Sequence, residues 1–129
     1  MRFLVDTQIL LWMVDEPSLL PKEARFMLED RSTEITFSLV SIWEVSIKFS
    51  LRRPDFRMPP EELLKALRRA DCKELEIADR HMIGVSRLPL LHRDPFDRLL
   101  VAQAQSEGLT LMTTDKMLSK YGRNVQRFR

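Results

Sequence analysis

The stretch Asp94-Pro95-Phe96-Asp97-Arg98-Leu99-Leu100-Val101-Ala102-Gln103-Ala104-Gln105-Ser106-Glu107-Gly108-Leu109-Thr110-Leu111-Met112-Thr113-Thr114-Asp115 holds a helix, its stop, a strand and a closing acid. Asp94 reads as an N-cap and Pro95 as a proline at the first helical position. Phe96, Leu99, Leu100 and Ala104 then share one side of a helix predicted over Pro95 to Glu107. Gly108 ends it, because a helix commonly stops on a residue in the left-handed conformation that glycine adopts without strain. Leu109 to Met112 is a short apolar run suited to a buried strand.

The same alternation extends outward in both directions. Met1 to Val5 reads as a strand, followed by a helix over Thr7 to Val14 with Asp6 placed to cap it. Pro21 fits the first turn of a helix reaching about Asp30, and Glu34 to Phe37 a strand. Ser41 begins a helix that presents Ile42, Val45 and Phe49 to the core. Arg53 to Pro60, with three prolines, reads as a loop. A helix over Glu61 to Ala70 turns Leu63, Leu64 and Leu67 inward. Glu74 to Ile77 is a short strand, and a helix runs from about Asp79 to Ser86. After the central stretch come a short helix over Asp115 to Lys120 and an edge strand at Val125 to Arg127. Strands separated by helices imply crossover units, hence an α/β fold with a mostly parallel sheet and helices on both faces. With 129 residues and no linker or repeat, one domain over 1–129 is expected.

Four acids recur at strand ends and helix starts: Asp6, Glu44, Asp97 and Asp115, with Asp94 beside them. Each has a capping explanation, including a Ser41–Glu44 capping box. Capping does not require helix starts to meet, whereas a metal site does. In a parallel sheet the strand carboxyl ends share one edge, where ligands bind. Hard oxygen donors without paired His or Cys suit Mg²⁺ or Mn²⁺ rather than Zn²⁺. Such a centre activates a water for hydrolysis at phosphorus, and a carboxylate off the metal orients that water or takes its proton. Thr7 and Thr113 flank two of the acids; their hydroxyls either meet substrate or metal-bound water, or tie turns. Lys48, four residues after Glu44, either pairs with it or contacts a substrate phosphate. His81 and His92 lack metal-ligand spacing and read as surface or structural, with a supporting role beside Asp94 as the alternative for His92. Trp12 and Trp43 read as core or interface residues.

Hydrophobic residues at 44% and charged ones at 31% describe a globular protein. The longest apolar run, Ile9 to Val14, is six residues, far short of a membrane span. Cys72 stands alone, so neither a disulfide framework nor a cysteine zinc site is available, and the absence of a secretory pattern points to the cytoplasm. Net charge is only +2, but Lys48, Arg52, Arg53, Arg57, Lys65, Arg68 and Arg69 crowd the middle third. Lys116, Lys120, Arg123, Arg127 and Arg129 crowd the C-terminal end. A basic rim around an acidic centre suits a phosphodiester polymer; solvated helix faces explain the same charges without one.

These blocks resemble the PIN-domain family, and within it the VapC-type ribonuclease toxins of toxin–antitoxin pairs. The matching segments are Leu4-Val5-Asp6-Thr7 followed by Leu10-Leu11-Trp12, Ser38 to Lys48 containing Trp43-Glu44, His92 to Leu100 followed by Ala102-Gln103-Ala104, and Leu111 to Asp115. They occur in the family's order and span essentially the whole chain. The resemblance implies an acidic cluster of Asp6, Glu44, Asp97 and Asp115 with Thr113 beside it. It also implies a Mg²⁺- or Mn²⁺-dependent endoribonuclease acting on RNA, a homodimer, and inhibition by a small cognate antitoxin. Asp94 matches an extra acid of the subgroup, either a ligand or only a cap. Gln8 departs from the His, Asn or Ser that relatives often carry there. A non-catalytic PIN-fold module that binds RNA or protein is the alternative. A phosphoacceptor receiver domain fits poorly, since Asp6 has no acidic neighbour before Asp15 and Ser38, not Asp, follows Phe37.

Overall fold

Alternation along the first strand divides the interior in two. In a computed structural model describing residues 1–129, strand β1 (Arg2–Val5) sends Phe3 and Val5 to one face of the sheet and Leu4 to the other. A strand buried on both faces needs apolar residues at every position, and Phe3, Leu4 and Val5 are all fully buried. The first face packs on Ile9 and Leu10 of α1 (Thr7–Asp15), Ala24 of α2 (Lys22–Glu29) and Leu63 and Leu67 of α4 (Pro60–Arg69). The second packs on Leu99, Leu100 and Ala104 of α6 (Pro95–Glu107). Helix α3 (Leu39–Ser50) contributes Val40 to the second core and Val45 to the first.

The sheet is entirely parallel, in the order β3 (Lys73–Leu75), β2 (Glu34–Ser38), β1, β4 (Thr110–Thr113), β5 (Val125–Arg127). The chain moves from β1 to β2 on one side and to β4 on the other. That reversal opens a crevice beyond the carboxyl ends of the central strands. Helix α5 (Asp79–Val85) lies against α6, and single turns of 3-10 helix occupy Pro17–Leu19 and Leu118–Tyr121.

Several sequence expectations shift. Helix α3 starts at Leu39, with Ser38 as N-cap accepting the Val40 N–H at 3.0 Å, so no Ser41–Glu44 capping box forms. The Ser38 hydroxyl serves because Ser38 is the last residue of the strand, with the extended backbone an N-cap adopts. Strand β3 lies one residue earlier than expected at its start and ends at Leu75. The helix expected over Asp115 to Lys120 is only the 3-10 turn at Leu118–Tyr121, because Asp115 is held in the turn that leaves β4. Phe49 does not join the core stripe of α3: it is 37% exposed, and Trp43 is 52% exposed with its ring edge-on to Phe96 at 4.9 Å.

Candidate metal centre

Asp6 directly follows β1 and sits at the N-cap of α1 with extended backbone, yet its side chain caps nothing. Its Oδ2 instead accepts a hydrogen bond from the Thr113 hydroxyl at 2.6 Å. The same hydroxyl accepts the Asp115 backbone N–H at 3.0 Å. Since β1 and β4 are paired neighbours, with the Asp6 N–H on the Met112 carbonyl at 2.9 Å, Thr113 ties Asp6 to the turn carrying Asp115. Thr113 is fully buried, and its hydroxyl makes the tie that was one of its two sequence readings. Thr7 is likewise buried, and its hydroxyl donates to Ser41 Oγ at 2.8 Å, joining α1 to α3.

Glu44 comes from the second turn of α3 and is buried. Its Oε2 accepts from Lys48 Nζ, the i,i+4 pair anticipated from spacing. Its Oε1 is buried with no partner at all. Lys48 Nζ also lies 4.8 Å from the Phe56 ring centre and 5.7 Å from that of Phe96, so aromatic faces hold the ammonium over the carboxylate. Asp94 caps α6, accepting the N–H groups of Phe96 (2.9 Å) and Asp97 (3.2 Å). Asp6, Glu44, Asp94, Asp97 and Asp115 all line one cleft of about 220 Å³, with Thr7, Gln8 and Lys48. Asp55, which the sequence reading left in a proline-rich loop without a role, lines it too. Six carboxyl groups therefore face one ammonium.

His92 is the residue that spacing underrated. Its Nδ1 accepts the Asp94 N–H at 3.0 Å, so Nε2 carries the ring proton. That Nε2 lies 2.9 Å from Asp115 Oδ2 and 3.5 Å from Asp97 Oδ2. Ligand atoms of His92, Asp97 and Asp115 lie within 4.8 Å of one another. The imidazole thus donates toward the acids. Its loop is held by the Tyr121 hydroxyl, which accepts the N–H groups of Leu91 and His92, and by Arg98, which donates to the carbonyls of Val85, Pro89 and His92. The available signal was position: His92 precedes the cap of α6 by two residues. His81 is structural, as anticipated. It is buried in α5 between Gln103 and Glu107, its Nδ1 accepting the Ala78 N–H.

The cluster strains against its own charge. Burial chiefly, then the neighbouring Asp6, Asp94, Glu44 and Asp115, push the Asp97 carboxyl up to about 8. Burial also raises Asp6 to about 6; Glu44 and Asp115 add to the rise, while the Thr113 hydroxyl opposes it. A partnerless buried oxygen on Glu44 and two carboxyls that resist ionisation are what a site for a divalent cation presents without one. The donors, hard oxygens in one cleft, fit Mg²⁺ or Mn²⁺.

A family model described as PIN domain matches residues 3–124. The chain belongs to the PIN-domain family. Its fold also matches 17 solved chains. This PIN domain is similar to VapBC2 from Rickettsia felis bound to a DNA fragment from their promoter, with 14% identity, complete coverage of both chains (100% and 100%) and a TM-score of 0.66. It is similar to VapBC-5 of Mycobacterium tuberculosis at 20% identity, 99% and 98% coverage and a TM-score of 0.61. A domain of a functionally unknown protein from Methanocaldococcus jannaschii matches at 16% identity, 99% and 91% coverage and a TM-score of 0.61. No curated protein matches the chain significantly by sequence. At these identities the structures speak for the fold, and the PIN match for the family. No helix of this PIN domain is long and apolar enough to cross a membrane.

Proposed function

We propose that this PIN domain is a divalent-metal-dependent endoribonuclease, the VapC-type toxin of a toxin–antitoxin pair. The observation that carries the reading is the one cleft lined by Asp6, Glu44, Asp97 and Asp115, with one Glu44 oxygen buried and without a partner. Asp6, Glu44, Asp97 and Asp115 would hold Mg²⁺ or Mn²⁺, with Asp94 fixed by its two capping bonds at the margin. Bound there, the cation would supply Lewis acidity and a more acidic water. The chain's own groups do the rest. Thr113 keeps Asp6 oriented, and a carboxylate of the cluster left off the cation would orient the attacking water or take its proton. His92 donates to Asp115, and Lys48 neutralises Glu44 while presenting an ammonium to a phosphate.

The partners follow from the toxin reading: RNA as substrate, a second copy of the chain, and a small cognate antitoxin, all in the cytoplasm. The VapBC likenesses support the antitoxin, and the exposed Trp43, Met82, Ile83 and Leu90 leave apolar surface for protein contacts. The test is cleavage of total RNA with Mn²⁺ or Mg²⁺, repeated in EDTA and with Asp97→Asn. Loss of about 100-fold or more in either arm is expected, the scale on which removing a placed electrostatic group acts. Cleavage that survives chelation and the substitution would sink the metal mechanism.

A further inference from the structure

Beside the acidic cleft, and sharing the Phe56 ring as a wall with it, lies a second cleft of about 530 Å³. Its character is opposite. Arg52, Arg53 and Arg57 line it with Phe49, Ser50 and Pro54, and no carboxylate does. Arg57 is engaged by Glu16 at 2.9 Å, but Arg52 and Arg53 are exposed and make no ion pair. Phe49, placed in the core by helical periodicity, instead opens to solvent here.

The backbone supplies a second, independent observation. Helix α3 ends in a Schellman arrangement, with the Arg53 N–H on the Lys48 carbonyl at 3.1 Å and the Arg52 N–H on the Phe49 carbonyl at 2.9 Å. That places Arg52 at φ 57, the left-handed position that favours glycine. Elsewhere the chain solves this problem conventionally: α6 stops on Gly108 at φ 66, and α4 on Asp71 at φ 57, a residue type that tolerates the conformation. An arginine at such a position costs stability that a glycine would not. Strain retained at a surface position beside a reactive site points to a use for the side chain.

We infer that this Arg52–Arg53–Phe49 cleft binds an unpaired stretch of the RNA flanking the bond cut in the acidic cleft. The inference rests on the ribonuclease reading. Guanidinium groups without carboxylate partners meet phosphates, and an exposed phenylalanine offers a face on which an unstacked base lies. Phe56, with Lys48 Nζ over its ring, forms the threshold between the two clefts. A base must leave its helix to stack on Phe49, so the cleft selects single strands over duplexes.

The experiment measures binding of a roughly 12-nucleotide unstructured RNA, by fluorescence anisotropy with Ca²⁺ as the cation. The full chain, Phe49→Ala, the pair Arg52→Gly with Arg53→Ser, and the charge-matched pair Arg68→Ser with Arg69→Ser on α4 are compared, and RNA cleavage in Mn²⁺ is assayed in parallel. Phe49→Ala should weaken binding about tenfold. The Arg52/Arg53 pair should reduce the salt slope by about 1.4, two single-strand phosphate contacts, and should melt no lower than the parent because Arg52→Gly relieves the left-handed strain. The α4 pair should bind nearly as the parent. Equal weakening by the α4 pair, unchanged binding in both cleft variants, equal affinity for the duplex form, or displacement of the RNA by poly-glutamate as readily as by unlabelled RNA would each overturn the inference. Binding that the cleft variants lose, in a parent that does not cleave, would support this cleft while removing the hydrolase reading; a parent that neither binds nor cleaves removes both.

Discussion

Replacing Asp97 by asparagine should stabilise the metal-free protein, and only where Asp97 would otherwise ionise. Its carboxyl rises from 3.8 to about 8 on folding. Between those values the folded state binds a proton that the unfolded chain has released, so stability falls as pH rises across the window. Below about pH 4 both states are protonated and nothing is lost; above about 8 the full cost is present. At 1.36 kcal/mol per tenfold change in proton affinity, and with Asp6 sharing part of the same repulsion, that cost is on the order of 3–5 kcal/mol at pH 8. Asp97→Asn keeps the shape and an acceptor for the His92 N–H while removing the charge. For a domain of this size the metal-free variant should then melt about 10 °C above the parent at pH 8, and close to it at pH 5. The difference between variant and parent cancels the pH response common to the rest of the chain. The assay is circular-dichroism melting in EDTA at pH 5, 6.5 and 8, repeated with Mn²⁺. The cation should raise the parent's melting temperature most at pH 8 and the variant's much less. A gap between variant and parent that does not widen with pH would falsify the account of a cluster strained by its own charge.

Other perturbations read different parts of the structure. Thr113→Val should cost about 1–3 kcal/mol in urea unfolding, because it strips the hydroxyl from buried Asp6 and from the Asp115 N–H, whereas Thr113→Ser should recover most of it. Tyr121→Phe removes the acceptor for the Leu91 and His92 N–H groups; about 1 kcal/mol of stability and several-fold RNA cleavage should go with it, and unchanged cleavage would detach His92 from the site. Gly108→Ala, at φ 66 with open space around the added carbon, should lower stability by about 1 kcal/mol through backbone strain alone, as chemical denaturation would report. Leu100→Ala, in the fully buried core beneath α6, should cost about 2–5 kcal/mol and produce a comparable fall in the denaturation midpoint.

What local patterns determine, the sequence by itself determined. Apolar runs ended by acids, the Asp94–Pro95 start and the Gly108 stop mark α6 and β4 because caps, proline and glycine act within a few residues of where they stand. A parallel sheet with helices on both faces followed, since strands separated by whole helices have few other ways to pair. The acids themselves were legible for the same reason: each stands where a strand ends or a helix begins. Local logic misassigned roles wherever a partner came from far along the chain. Asp6 and Glu44 looked like caps, but one is claimed by Thr113, 107 residues away, and the other keeps a buried oxygen with no partner. His92 lacked ligand spacing because the atoms it faces sit on α6 and in the turn after β4. Phe49 obeyed the helical period of α3 and yet is exposed, lining the arginine cleft at that helix's last turn. Only the tertiary structure decides such matters: burial, shared charge and unpaired oxygens are properties of neighbours in space, and spacing along the chain records none of them.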